Sequence, residues 1–199
     1  MHKLTREDLY SLEQYAEIRP TFRAEIMAYK KNRQLPLGDN ARLYFESQKT
    51  IQYQVQEVLR VEKTFDAEGI EEELDVYNPL IPDGSNLKAT FMLEYPDTNE
   101  REHKVIELRG IEHKVWLQVE DCEKVYPIVD EDLPRDDGSR TSTVHFMRYE
   151  LNPTMVLALK NGANLAAGIE HEAYNVTVPD VAANIRDSLT ADLDDVALN

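Results

Sequence analysis

The stretch from Leu87 to Tyr95 alternates without a slip, with Leu87, Ala89, Phe91, Leu93 and Tyr95 separated by Lys88, Thr90, Met92 and Glu94. Successive side chains of a strand point to opposite faces, so this period of two specifies a half-buried β-strand. The stretch also divides the chain. Before it, apolar residues recur at helical spacing; after it, short alternating runs alternate with helix-length segments and Gly or Pro signals. An α+β protein is expected, with a helix-rich N-terminal region and a short strand over residues 1–85. That region packs on a mainly antiparallel sheet region over residues 86–199, the two forming one compact domain.

In the first region, Thr5 and Asp8 resemble a capping box with Leu4 and Leu9 as its staple, which predicts a helix over 6–17. Pro20 then breaks it, since the residue before proline avoids the α region, and a second helix carries Phe22, Ile26 and Tyr29. Leu43 and Phe45 mark the short strand. The segment TIQYQVQEVLRVE fits both periods; its Gln, Glu, Arg and Leu content selects a helix. Asp66 caps a further helix bearing Ile70, Leu74 and Tyr77, and Asn78-Pro79 stops it.

In the second region, the expected order after the opening strand is a helix over 98–109 closed by Gly110, then a strand through Val115, Leu117 and Val119. An edge strand around 125–129 follows, because Pro127 lacks a ladder donor, and then an exposed loop over 130–140. A strand over 144–151, a helix ended by Gly162, a strand over 165–171 and a helix with Val181, Ile185 and Leu189 complete the chain. Two strand-helix-strand units echo each other, each containing "FM" and "GIEH". The echo suggests a ferredoxin-like βαββαβ core with insertions, in one sheet, with Leu87, Phe91, Leu93, Val115, Leu117, Val144, Phe146 and Ile169 in its core.

The chain has 22 Lys/Arg against 38 Asp/Glu, a formal net charge of -16, and residues 1–40 are nearly balanced. An acidic body repels a polyanion, so nucleic acid is excluded as the natural partner. No run approaches the roughly 18 to 20 apolar residues of a membrane span, and the start MHKLTREDL has no apolar leader core. A cytoplasmic location away from membranes is expected. Cys122 is alone, so the chain holds no disulfide, multi-cysteine zinc site or four-cysteine cluster of its own. Neither cofactor nor metal is expected, and any redox role would work through a partner's cofactor.

Nucleophile-elbow, zincin, Walker and dinucleotide-binding motifs are all missing. His113 in IEHK and His171 in IEHE read as structural or surface residues, since neighbours in a strand face opposite ways. The segment IEEELDVYNPLIP, residues 70–82, reads as a helix end in which Glu71 and Glu72 face solvent while Glu73 lies beside Tyr77. Should Glu73 and Tyr77 meet Glu57 and Arg60 of the preceding helix, the outcome is either a brace between two helices or a docking patch.

Four stretches carry a resemblance: "LTREDLYSLEQYAEIRPTFRAEIMAYKKNRQLPLG", "FESQKTIQYQVQEVLRVEKTFDAEGIEEELDVYNPLIP", "GIEHKVWLQV" and "STVHFMRYEL". Together they resemble a bacterial family of unknown function, the DUF 3501 family, over nearly the whole chain. The resemblance implies no defined activity. It implies a neighbourhood with rubrerythrin-like and iron-sulfur reductase proteins, one of which is the expected protein partner. The family pattern falls on Gln56, Glu57, Arg60, Glu62, Glu73, Tyr77 and Asn78, the candidate binding cluster. The function expected is that of an accessory or protein-interaction protein, linked to a redox or oxidative-stress system. The alternative is a carboxylate-based metal-binding protein or metal-dependent enzyme.

Overall fold

A computed structural model describes residues 2–131 and 138–195. Residues 132–137 of the loop expected over 130–140 lie outside the described residues. Within them the chain folds as six α-helices and two antiparallel sheets, an α+β architecture. The helices are α1 (Leu12–Lys30), α2 (Gln48–Glu62), α3 (Ala67–Tyr77), α4 (Thr98–Glu107), α5 (Pro153–Lys160) and α6 (Ala183–Thr190). The strands are β1 (Gln34–Pro36), β2 (Ala41–Phe45), β3 (Asn86–Leu93), β4 (Val115–Val119), β5 (Lys124–Val125), β6 (Ile128–Val129), β7 (Val144–Glu150), β8 (Leu165–His171) and β9 (Tyr174–Val178).

Local chemistry accounts for most helix starts. Ser47, Asp66, Asp97 and Asn152 each accept a hydrogen bond from the backbone N–H three residues on, satisfying one of the amides that a helix leaves unpaired. Asn78–Leu80 ends α3 in a 3₁₀ turn, and Ile81 then turns inward, as the prolines require. The start of the chain differs from expectation. Thr5 and Asp8 do bond, at 2.8 Å, but they close only a 3₁₀ turn, Arg6–Asp8. The long helix begins afterwards, capped by Ser11, and runs unbroken past Pro20. Burial of Tyr15 and Ile26, one on each side of Pro20, holds the two halves in one helix despite the missing donor.

The strands form two sheets, not the single ferredoxin-like sheet. One has the order β1-β2-β3-β7-β6 and the other β5-β4-β8-β9. Each strand-helix-strand unit begins in the first sheet and ends in the second, so β3 pairs with β7 and β4 with β8, both antiparallel. The letter echoes are not equivalent positions. Gly110 follows α4 at φ 82°, where a side chain is strained, and its counterpart after α5 is Gly162 at φ 89°. Gly168 instead lies inside β8, where a Cβ would come within 2.5 Å of the Trp116 ring.

The segment expected as one edge strand is two. β5 pairs with β4, β6 pairs with β7, and Pro127 sits between them where the chain passes from one sheet to the other. β1 and β9 were not anticipated. Val144 and Phe146 leave the expected core, because the register places His145, Met147 and Tyr149 opposite Phe91, Ala89 and Leu87 on the buried face of the first sheet. Both faces of VHFMRYEL carry apolar residues, so its own pattern leaves the phase open. The inner faces of both sheets share one apolar cluster with residues of α5 and α6, and a smaller cluster of Leu4, Ile51, Val55, Leu59, Leu74 and Ile81 lies among the N-terminal elements.

Candidate functional site

The polar face of α2 grips the segment that precedes α1. Gln52 Nε2 donates to Asp8 O at 2.6 Å, Gln56 Oε1 accepts from Tyr10 N at 2.6 Å, and Gln56 Nε2 donates to Tyr10 O at 3.3 Å. Asn78 does the same from the end of α3: its amide exchanges bonds of 2.8 and 2.9 Å with Leu4 N and O. These amides satisfy backbone groups of a segment without regular pairing, and they seat Leu4 in the smaller core. Gln56 and Asn78 of the candidate cluster are therefore anchors.

Glu57 joins α2 to α1. It accepts from Arg19 Nε at 2.7 Å, Arg19 Nη2 at 2.9 Å and the Tyr15 hydroxyl at 2.7 Å, and Arg60 reaches it at 3.3 Å. Arg19, with help from Tyr15 and Arg60 against the effect of burial, depresses the Glu57 carboxyl to about 2. Burial, followed by the Glu57 carboxylate, raises the Tyr15 phenol. A brace exists, then, but between α1 and α2. Among the described residues no hydrogen bond links Glu73 or Tyr77 to Arg60 or Glu57. Burial, and then the negative charges of Glu62 and Glu72, raise the Glu73 carboxyl. Glu62 is exposed, and Tyr77 packs against the smaller core.

The brace makes a pH-dependent prediction. A depressed carboxyl stabilises the fold fully above its unfolded value of about 4.5, and the contribution disappears as pH falls toward 2. Both partners are partly exposed, so solvent screening reduces the effect, and Glu57→Gln should cost about 1–2 kcal/mol at pH 7. Urea unfolding at several pH values should show the gap between the two proteins closing between pH 4.5 and 2. A gap that stays constant across that range would refute the brace.

A second polar group is buried where β7 meets the ends of β6 and α4. His145 is inaccessible; its Nδ1 bonds Asp130 Oδ2 at 2.6 Å and its Nε2 lies 2.8 Å from Thr141 Oγ1. The Thr141 hydroxyl also reaches Glu112 Oε2 at 2.8 Å. Asp130 and Phe146 exchange backbone and side-chain bonds of 2.9 and 3.0 Å, which fixes the carboxylate. The order Asp, His, hydroxyl is that of a nucleophile relay, but Thr141 and His145 are 3% and 0% exposed and present no atom to a substrate. His145 stands in no motif, and its partners Asp130, Thr141 and Glu112 are assembled only by the fold, unlike the conspicuous His113 and His171 of the GIEH echoes. His113 is exposed beside the buried Glu112, and His171 takes backbone partners at Arg109 and Ala173. β4 and β8 are neighbours in the second sheet. Among the described residues no three or more His, Cys, Asp and Glu side chains converge as a metal ion requires.

The open site is a cleft of about 530 Å³ between the end of α3 and the outer faces of β3 and β7. Val76, Pro79, Leu80 and Phe146 give it apolar walls, and Lys88 and Arg148 line its charged side. The same register that buries His145 turns Phe146 and Arg148 outward, and the Asn78-Pro79 stop holds Leu80 over them. Arg148 grips Glu131 with Nε and Nη2 at 2.8 and 2.7 Å and also bonds Glu150; Glu131, with Glu150, raises its guanidinium. Lys88 Nζ donates to Pro79 O at 2.6 Å, and burial lowers its ammonium. Of the candidate cluster, only Tyr77 lines this cleft.

The fold and site define an α+β protein with polar braces between its elements and a sizeable apolar cleft, and among the described residues no helix is long and apolar enough to cross a membrane. The chain belongs to the family described as protein of unknown function (DUF3501), whose model matches residues 3–193. It is similar to a crystal structure of a novel protein of unknown function from Burkholderia pseudomallei K96243, at 46% identity and a TM-score of 0.92, covering 97% of this chain and 100% of that one. No curated protein matches.

Proposed function

We propose that this is an accessory protein that works by binding a small amphipathic molecule in the cleft between α3 and the β3–β7 face. The cleft itself carries the reading. About 530 Å³ suits a small organic ligand, and mainly apolar walls with a few convergent polar groups are what such sites use to hold and orient one. The expected partner, a rubrerythrin-like or iron-sulfur reductase protein, belongs to this proposal as the protein that responds to the loaded form. The net charge of -16 favours a partner with a basic face, and such an encounter weakens as salt rises.

A thermal-shift screen of chemically diverse small molecules tests the cleft, with Val76→Trp as the filled control. Ligand at about 100 times its Kd stabilises by about 2.7 kcal/mol, or a rise of several degrees in Tm for a chain of this size. Authentic ligands should shift the native protein and leave Val76→Trp unmoved. Equal shifts in both proteins would place binding elsewhere and refute the proposal.

A further inference from the structure

We infer that the ligand of this cleft is a carboxylate with an apolar chain, its anionic end seated on Lys88; the inference rests on the cleft reading above. An ammonium has three donors. Lys88 uses one on Pro79 O at 2.6 Å and has no ion-pair partner within 4.0 Å among the described residues, in a chain with 38 carboxylates. The nearby acids are otherwise engaged: Asp83 accepts from Ser85 and Asn86, while Glu131 and Glu150 are held by Arg148. A half-buried cation with unused donors gains both charge and acceptors from an arriving anion.

The shape around Lys88 sets the orientation. A second cleft of about 480 Å³ shares Pro79, Lys88, Glu131 and Arg148 with the first and continues to His2 and Lys3. Beyond the shared groups, the first cleft adds only the carboxylates of Glu46 and Asp75, and Glu46 is occupied by the hydroxyls of Thr50 and Thr90. The second cleft adds Lys3 and Asp83, whose charges offset each other, so the side toward Lys3 is the less negative of the two. An anion enters head toward Lys88 and Lys3, and its chain lies on Val76, Leu80 and Phe146. A single negative charge suits the place. A doubly charged phosphate would face Asp83, Glu131 and Glu150 with only one uncommitted half-buried cation to offset them.

Isothermal titration with decanoate and decanol, below their aggregation limits, separates head from chain. The native protein should take one decanoate per chain at least tenfold more tightly than decanol. Lys88→Met should abolish that preference while keeping decanol binding, Lys88→Arg should restore it, and Val76→Trp should weaken both. Melting curves on each variant establish that it is folded, and the retained decanol binding of Lys88→Met does so at the site itself. Equal affinity for the two molecules, with both lost in Val76→Trp, would overturn the anionic head and leave the cleft reading standing. Absence of decanoate binding, or binding indifferent to Val76→Trp, would overturn this inference on the cleft's ligand.

Discussion

Arg33→Met should destabilise the protein by about 3–5 kcal/mol, because it breaks a buried ion pair by removing one partner. Arg33 is 1% exposed and holds three distant pieces of chain together. Its Nε donates to Phe45 O at 3.1 Å, its Nη2 to Glu46 O at 2.7 Å and to Asp192, and its Nη1 to Ser188 O at 3.1 Å. The guanidinium thus ties the turn after α1 to the exit of β2 and to the C-terminal end of α6. Methionine fills much of the volume, but it leaves two strand-exit carbonyls and the Asp192 carboxylate without partners. Burial pushes the Asp192 carboxyl up even with Arg33 beside it. Desolvation therefore opposes the pair's attraction, and the double variant Arg33→Met, Asp192→Leu should lose less than the two single losses added together. Urea unfolding of the three variants measures this as a coupling energy. Strict additivity would show that the two residues are not energetically coupled.

His145→Leu should cost a similar amount, about 3–5 kcal/mol, because it leaves the buried Asp130 carboxylate and the Thr141 hydroxyl each short of a partner. Asp130 loses its 2.6 Å bond to Nδ1 and keeps the Phe146 amide, while the Thr141 hydroxyl loses Nε2 and keeps Glu112. The leucine itself fits the apolar side of the site, where the imidazole now lies tilted against Phe91 with ring centroids 6.5 Å apart. Glu112→Gln separates the charge effect from the hydrogen-bond effect. Its amide oxygen can still accept from Thr141, so a loss under about 1.5 kcal/mol is expected from that variant. Comparable losses from Glu112→Gln and His145→Leu would mean that the acid, not the imidazole, organises the cluster.

The helix start at Asp66, the helix beginning at residue 98, the stop at Asn78-Pro79 and the phase of β3 were legible from short-range chemistry alone. Each depends on groups within a few residues of one another: a side-chain oxygen and an amide three positions on, a proline ring and the preceding turn, or an unbroken alternation. The candidate cluster implied by the family resemblance lies on α2, α3 and the turn that ends α3, but its partners come from far along the chain. Glu57 meets Arg19, 38 residues away, and Asn78 meets Leu4, 74 residues away. Tertiary structure alone decided which face of VHFMRYEL is buried, because both faces are apolar enough and only pairing with β3 sets the register. That one choice buries His145 with Asp130, Thr141 and Glu112 and turns Phe146 and Arg148 into the cleft. It also decided that α1 passes through Pro20, since packing on both sides of the proline outweighs one missing hydrogen bond, and that β3 and β4 lie in different sheets. Strand partners and sheet membership are settled by contacts among residues far apart in the chain, where short-range propensity and period carry no information.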